Sequence, residues 1–487
     1  MRSSLSLGLQ LLLAGPLVSA FRWYNWQFDL TCEATTHFVP DDEADLADFV
    51  KSHTSSMIKV VGNGHAFGNM TTCVDVHATN RTSHVVSLTN LKDLQFNDDN
   101  SVTFGAGWDL VDLIPEMREN GLSVFNIGSE RVQNFIGAAV TGTHGTGGDL
   151  GNIASSIIGF RVMDSAGEIT VVNETHNADL LPAFRISLGA LGLITEVTLQ
   201  AQPVKYFKRT TELIPTSTNY TETFQRIYDF YQEHPHLTIF GPDLVWNESI
   251  ANYTLSPTVT AMYWEDTDVT DVSNCTDYCA NGCGDCAYAN HCYAELAEAI
   301  STPPGGVCNR VFYTEIEHFI PIEHLVEAGA GYVNLELSPE YEGFNNEDIP
   351  HTVRFVKGDD TWMSPVNKYN LDNSTSGVFA VLEVDWYPTY NDFDSLWYYQ
   401  AWAQNFIPRF GKEYNVRPHW GKTQGEFNST YAEFIYPHLD DFVALQEKQD
   451  PNCQFVNEFL IDHLGLERCR GVFNNDLVPS ISSLRKL

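Results

Sequence analysis

Two periodicities of hydrophobic and polar residues alternate through the N-terminal part of the chain. Pro40-Asp41-Asp42-Glu43 precedes Leu46, Phe49 and Val50 at helical spacing. Proline and acids suit a first helical turn, and the apolar stripe gives that helix one buried face. The β-branched run Ile58 to Val61 predicts a strand that stops at Gly62-Asn63-Gly64-His65. Short strands are expected around Val85 to Leu88 and Val102 to Gly105, then a helix from about Leu110 to Asn120. A second glycine-rich stretch around Gly142, Gly145, Gly147 and Gly148 leads into a strand from Ile158 to Met163, turning at Ser165-Ala166-Gly167. Strands and helices alternate, so this half reads as α+β.

At 487 residues the chain exceeds one ordinary core, and two or three domains are expected. Residues from about Val204 to Pro408 are richer in aromatics, cysteines and Asn-X-Ser/Thr sites, which places a boundary near Gln202. The opening twenty residues combine Arg2, a short leucine-rich run and small residues before Phe21, the pattern of a cleavable secretory signal. Nine sequons, at Asn69, Asn80, Asn173, Asn219, Asn247, Asn252, Asn274, Asn373 and Asn428, agree with export. So do ten cysteines, six of them between Cys275 and Cys308, which in an oxidising compartment read as disulfides rather than a zinc knot. Cys32, Cys73, Cys453 and Cys469 then supply two more bridges of open pairing, and no metal site is expected.

Charge narrows the partners. With 63 acidic and 27 basic residues, the formal net charge is −36. Such a surface repels phosphate backbones and anionic membranes, which excludes nucleic-acid binding. No stretch is long and apolar enough to be expected to span a membrane.

The two glycine clusters fit neither the dinucleotide G-x-G-x-x-G spacing nor a Walker loop. Glycine lets backbone N–H groups approach a ligand without a Cβ in the way, and successive amides form a concave anion site. Two such clusters suit a large anionic cofactor carrying a pyrophosphate.

"VVGNGHAFGN", "GTHGTGG", "SLGALGLITEVTL", "VRFVKGDD" and "RPHWGK", in this order, resemble the flavin-linked aldonolactone and alditol oxidases of the vanillyl-alcohol oxidase superfamily. Asn25-Trp26 is similar to that family's opening, and the resemblance runs from about residue 23 to 470. It implies an α+β fold: a PCMH-type FAD-binding domain of two subdomains over residues 21–202, then a cap with an antiparallel sheet over 203–410, including a cysteine-rich insertion at 275–308. A segment 411–487 would return to the flavin, and residues 1–20 would be the signal.

The same resemblance aligns His65 with the histidine joined covalently to the flavin. Gly62, Asn63, Gly64, Ala66 and Phe67 would line the pyrophosphate, Gly142, Thr143, His144 and Gly145 its other side, with Gly192 and Ile194 offering backbone atoms. Lys422 corresponds to the active-site lysine near flavin and substrate, and His419 to a residue that contacts substrate or braces the loop. Gly128 implies an oxygen-using oxidase that releases hydrogen peroxide, and Ser129 aligns with a binder of substrate hydroxyls. Arg354 matches the arginine of the family's Glu-x-Arg pair, but the glutamate position here is Thr352, a departure. Glu317 and Glu383 are candidates for the missing carboxylate; His351 would face the other way on a regular strand. The expectation is a secreted FAD-dependent oxidase of a sugar-derived 1,4-lactone, using O2. An alditol oxidase with the same cofactor is one alternative, and an inactive flavin-fold binding glycoprotein is another.

Overall fold

The computed structural model describes residues 20–73, 81–249, 252–270, 278–280, 285–287, 291–295, 313–341, 351–371, 375–386, 404–424 and 427–473. The expected signal (but for Ala20), most of the cysteine-rich stretch, and Asn80, Asn274 and Asn373 lie outside these residues.

Two larger sheets build the N-terminal half. Strands β1 (Thr36–Phe38), β2 (Met57–Val60) and β3 (Ser83–Val86) form a parallel sheet in the order β1-β3-β2. Helix α1 (Glu43–Ser52) starts where the proline and acids predict, with the Asp42 side chain accepting from the Asp45 N–H, and buries Leu46 and Val50. Strands β4 (Leu94–Phe96), β5 (Ser101–Gly105), β6 (Ile157–Met163), β7 (Ile169–Asn173) and β8 (Leu193–Gln200) form an antiparallel sheet, order β7-β6-β8-β5-β4. Helix α2 (Leu110–Glu119) buries Leu110, Leu113, Ile114 and Met117, and the short α3 (Phe135–Ala139) leads into the second glycine cluster.

The second half is built on one antiparallel sheet. Its strands are β9 (Tyr206–Pro215), β10 (Leu237–Phe240), β11 (Thr258–Thr267), β12 (His291–Glu295), β13 (Thr314–Pro321), β14 (His351–Lys357), β15 (Val378–Trp386) and β16 (Arg417–Pro418). They lie in the order β12-β9-β11-β10-β14-β15-β13-β16. The change from the five-stranded to the eight-stranded sheet falls between Gln200 and Tyr206. Helix α4 (Tyr220–Glu233) packs on α5 (Leu325–Glu336), where Gly329 admits the Phe224 ring: a Cβ there would lie 2.3 Å from it.

Strand β16, assigned by sequence to the returning segment, is the edge of the second sheet. Beyond it the chain crosses back: the Ile58 N–H donates to the Gln454 carbonyl at 2.7 Å, and the Asn457 amide donates to the carbonyls of Asn69, Met70 and Thr72. Disulfides join Cys32 to Cys73 and Cys453 to Cys469.

The halves meet at the second glycine cluster. The Gly147 N–H donates to the Phe355 carbonyl at 2.6 Å, and the Phe355 N–H to Thr146 Oγ1 at 3.0 Å. Gly145 lies so close to the preceding loop that a Cβ would stand 2.2 Å from the Ile127 carbonyl oxygen. Gly145→Ala is therefore expected to cost about 1–3 kcal/mol in denaturant unfolding. Gly137→Ala, whose Cβ has no neighbour nearer than 3.7 Å, should leave stability unchanged or raised.

Candidate active site

Alternation along a strand puts residues two apart on one face. Glu315 and Glu317 of β13 share a face with Glu383 and Asp385 of β15, because Glu317 stands opposite Glu383 and Glu315 opposite Asp385. Thr352 of β14 stands opposite Glu383 on the other side, so Arg354 reaches the same face. Glu315, Glu317 and Glu383 are held away from water and Asp385 is half-buried, a costly arrangement unless charge or protons compensate.

Two cations compensate in part. Arg354 Nη2 lies 2.5 Å from Glu383 Oε2, while Lys422 Nζ pairs with Glu315 Oε1 and lies 3.2 Å from Glu317 Oε1. Burial would lower both cations' pKa values, but the surrounding carboxylates hold both above their ordinary range. Burial pushes Glu315 and Asp385 well up, and Glu383 to about 7 against the pull of Arg354. Burial acts the same way on Glu317, yet Lys422, His419 and His144 overcome it and keep that carboxyl ionised. The ladder thus keeps protons near neutral pH, and Glu383 is poised to gain or lose one.

The histidines complete the wall. His144 sets Nε2 3.0 Å from Glu317 Oε2 and Nδ1 2.7 Å from the Gly145 carbonyl. His419 Nδ1 accepts from the Gly421 N–H at 2.9 Å, its Nε2 lies 4.0 Å from Glu317, and burial takes its pKa to about 3. Two trios, His144, Glu317, His419 and Glu315, Glu317, Glu383, each bring ligand-type atoms within 4.8 Å, but Lys422 already supplies positive charge between the carboxylates.

His65 is carried to this wall by its loop. The Phe67 N–H donates to the Gly421 carbonyl at 2.9 Å, and Lys422 Nζ stands 5.1 Å over the Phe67 ring. Trp26 stacks on the His65 imidazole at 5.4 Å, and its N–H donates to the Gly64 carbonyl at 3.0 Å. Burial, then Lys422, lowers His65 to about 4, so the ring is neutral and nucleophilic at ordinary pH. Gly64 has φ +67° and no room for a Cβ beside Asn25 and Trp23.

From this loop a cleft runs into the N-terminal half. Gly62, Asn63, Gly192 and Ile194, four of the residues assigned to the cofactor by sequence, line it. Other assigned residues sit elsewhere. Gly137, Val140 and Thr141 form the wall in place of Gly142, Thr143, His144 and Gly145. Gly142 packs on Pro365 and Ile186, Gly145 on the Ile127 carbonyl, and His144 belongs to the acid ladder. The half-buried Ser129 follows Gly128, where a Cβ would meet Thr143 Cγ2 at 3.0 Å. His351 turns to the opposite face of the sheet, 3.2 Å from Glu336 of α5. Sequence reasoning did not select Glu315, although Glu315-Ile316-Glu317 and Glu383-Val384-Asp385 repeat one period-two signal.

The cleft suits FAD on its own evidence. Lys59 Nζ, Thr71 Oγ1 and Ser187 Oγ border it, are buried, and have no hydrogen-bond partner among the described residues. Such atoms await a polar ligand.

Comparison with known proteins agrees. Residues 35–173 match the family described as FAD binding domain, and residues 309–463 the family described as D-arabinono-1,4-lactone oxidase. A cholesterol oxidase structure from Brevibacterium sterolicum shares the fold, with a TM-score of 0.72 at 13% identity over 91% of this chain and 97% of its own. The fold is thus the PCMH-type FAD-binding one, and the protein is an FAD-dependent oxidoreductase. An L-gulono-1,4-lactone dehydrogenase from Mycobacterium tuberculosis is 26% identical over 460 residues, 91% of this chain and 99% of the relative. The L-gulonolactone oxidase of Bos taurus is 26% identical, covering 90% and 97%. A D-arabinono-1,4-lactone oxidase from Kluyveromyces lactis is 27% identical over 42% of this chain and 39% of its own length. Over most of its length the chain is similar to these aldonolactone oxidoreductases.

The ladder makes a direct stability prediction. Arg354→Met strands Glu383 and should cost about 3–5 kcal/mol in denaturant unfolding above neutral pH. The loss should shrink below neutrality, where Glu383 takes up a proton, and Arg354→Met combined with Glu383→Leu should recover most of it.

Proposed function

We propose that the protein is a secreted FAD-dependent oxidase of a sugar-derived 1,4-lactone of the arabinono- or gulono-lactone type. The observation that carries this reading is the His65 loop, whose Gly62 and Asn63 line the cleft and whose Phe67 is bonded to Gly421 beside Lys422, the cation of the carboxylate ladder. When bound, FAD would supply a hydride acceptor at N5, with O2 as the terminal oxidant and hydrogen peroxide as the second product.

The chain's own groups do the rest. Glu383, opposite Thr352 and paired with Arg354, takes the proton of the substrate hydroxyl, since a carboxyl near pKa 7 is matched to that transfer at neutral pH. Arg354 orients the hydroxyl-bearing edge of the substrate. Lys422, reachable from outside at 19% side-chain exposure and held charged by Glu315 and Glu317, supplies positive charge where negative charge develops. Gly128, which the family resemblance associates with oxygen-using members, supports use of O2. His65, neutral and fixed under Trp26, forms the covalent link to the cofactor. The opening residues and sequons support export and glycosylation.

Thr352 was the feature favouring an inactive binding protein, and Glu383 across the ladder removes that support. "SLGALGLIT" still favours an alditol as second substrate reading, and parallel peroxide assays on lactones and alditols separate the two. Acid precipitation tests the link: yellow colour should stay with the wild-type pellet and leave that of His65→Ala. Loss of colour from both would remove the covalent bond from the account.

Glu383→Gln should lower kcat by about 10²–10⁴. In the unsubstituted protein kcat/KM should rise with pH through about 7, because the base must be deprotonated, and that limb should vanish in the variant. Lys422→Met should cost about 10²–10³ in kcat.

A further inference from the structure

Among the described residues two charged side chains line the cleft, and one of them has no counter-charge there. Lys59 sits in β2, the strand that runs into Gly62-Asn63-Gly64, and is 4% exposed. Its Nζ meets no acceptor among the described residues. The groups packed around it do not offer one. Strand β3 places Val85 opposite, with His84 engaged by Thr36, and the Gln454 carbonyl on the C-terminal side is taken by the Ile58 N–H. The other charged residue of the wall, Asp109, stands at the N-cap position of α2 without a side-chain capping bond, and it makes no hydrogen bond to Lys59. Burial is the one influence resolved on the lysine, and it takes the ammonium down to about 7.

A buried ammonium without a partner costs free energy and is retained where something else supplies the anion. Thr71 Oγ1 and Ser187 Oγ, also unpartnered on this wall, add hydroxyls suited to phosphate oxygens.

We propose that Lys59 is a binding residue for the diphosphate of the dinucleotide, whose negative charge completes a pairing the protein leaves open. The proposal rests on FAD occupying this cleft. It gives the lysine opposite effects in two states: it destabilises the flavin-free protein and strengthens binding of a ligand that carries phosphate.

The test uses His65→Ala protein stripped of flavin, so that binding is reversible, with FAD and riboflavin as probes; riboflavin lacks the phosphates. Adding Lys59→Met should weaken FAD by about tenfold or more, the scale of one charged hydrogen bond, and leave riboflavin unchanged. It should also raise the thermal midpoint of the flavin-free protein, while Lys59→Arg keeps FAD affinity. A second measurement needs no change at this position. A folded-state pKa below the ordinary lysine value means that flavin-free stability rises with pH from about 7 towards the ordinary lysine pKa, and FAD affinity falls as pH rises above about 7 while riboflavin affinity holds. Equal weakening of both ligands, an unaltered FAD affinity, or a lowered midpoint in Lys59→Met overturns the proposal. Binding of neither ligand by the parent protein overturns the cofactor reading instead.

Discussion

Four carboxylates on one face of a sheet, three of them buried and one half-buried, with two cations to hold them, set the terms for the rest of this structure. Glu315, Glu317, Glu383 and Asp385 are stacked by strand register, so their mutual repulsion cannot be relieved by turning away. Lys422 and Arg354 neutralise part of it, and protons retained on Glu383, Glu315 and Asp385 offset the remainder. That compromise holds only while the N-terminal half covers the face. His144 reaches Glu317 from the second glycine cluster, and the His65 loop is bonded to the loop that carries Lys422. Charge placement and domain packing are therefore one problem, and the site exists only at the junction.

The same constraint supplies the chemistry. A cluster with more acids than cations has a group that exchanges its proton near neutrality, and an ammonium it cannot release. Oxidising a C–H bond beside a hydroxyl requires both: somewhere for the hydroxyl proton, and positive charge beside the acceptor of the hydride. The arrangement also shows why Thr352 need not disable the site. Opposite positions on neighbouring strands are about as close as side-chain positions come, so a carboxylate on β15 occupies nearly the place one on β14 would.

Much of the N-terminal half was legible in the sequence because its signals are local. Asp42 and the stripe Leu46, Val50 fix α1, and the glycine turn after β2 announces a close backbone approach. The active site was legible in part. Arg354, Lys422, His419, Glu317 and Glu383 were named in advance, and the structure brings them to one face. Glu315 was not, because only contact between distant segments turns that face inward and sets it beside Lys422. The second glycine cluster misled for a related reason. Gly145 is small to fit against the Ile127 carbonyl, a packing requirement that sequence cannot tell from a ligand requirement. Lys59, inside an apolar strand, gave no sign of bordering a cavity.

The central claim is that this junction oxidises the CH–OH group of an aldono-1,4-lactone. The most direct measurement is rapid anaerobic mixing of the purified protein with such a lactone, following the flavin absorbance, with a free alditol as comparison. The account predicts saturable bleaching by the lactone, slowed strongly in Glu383→Gln, and return of the oxidised spectrum when air is admitted. A flavin that no lactone bleaches, or that the alditol alone bleaches, would contradict it.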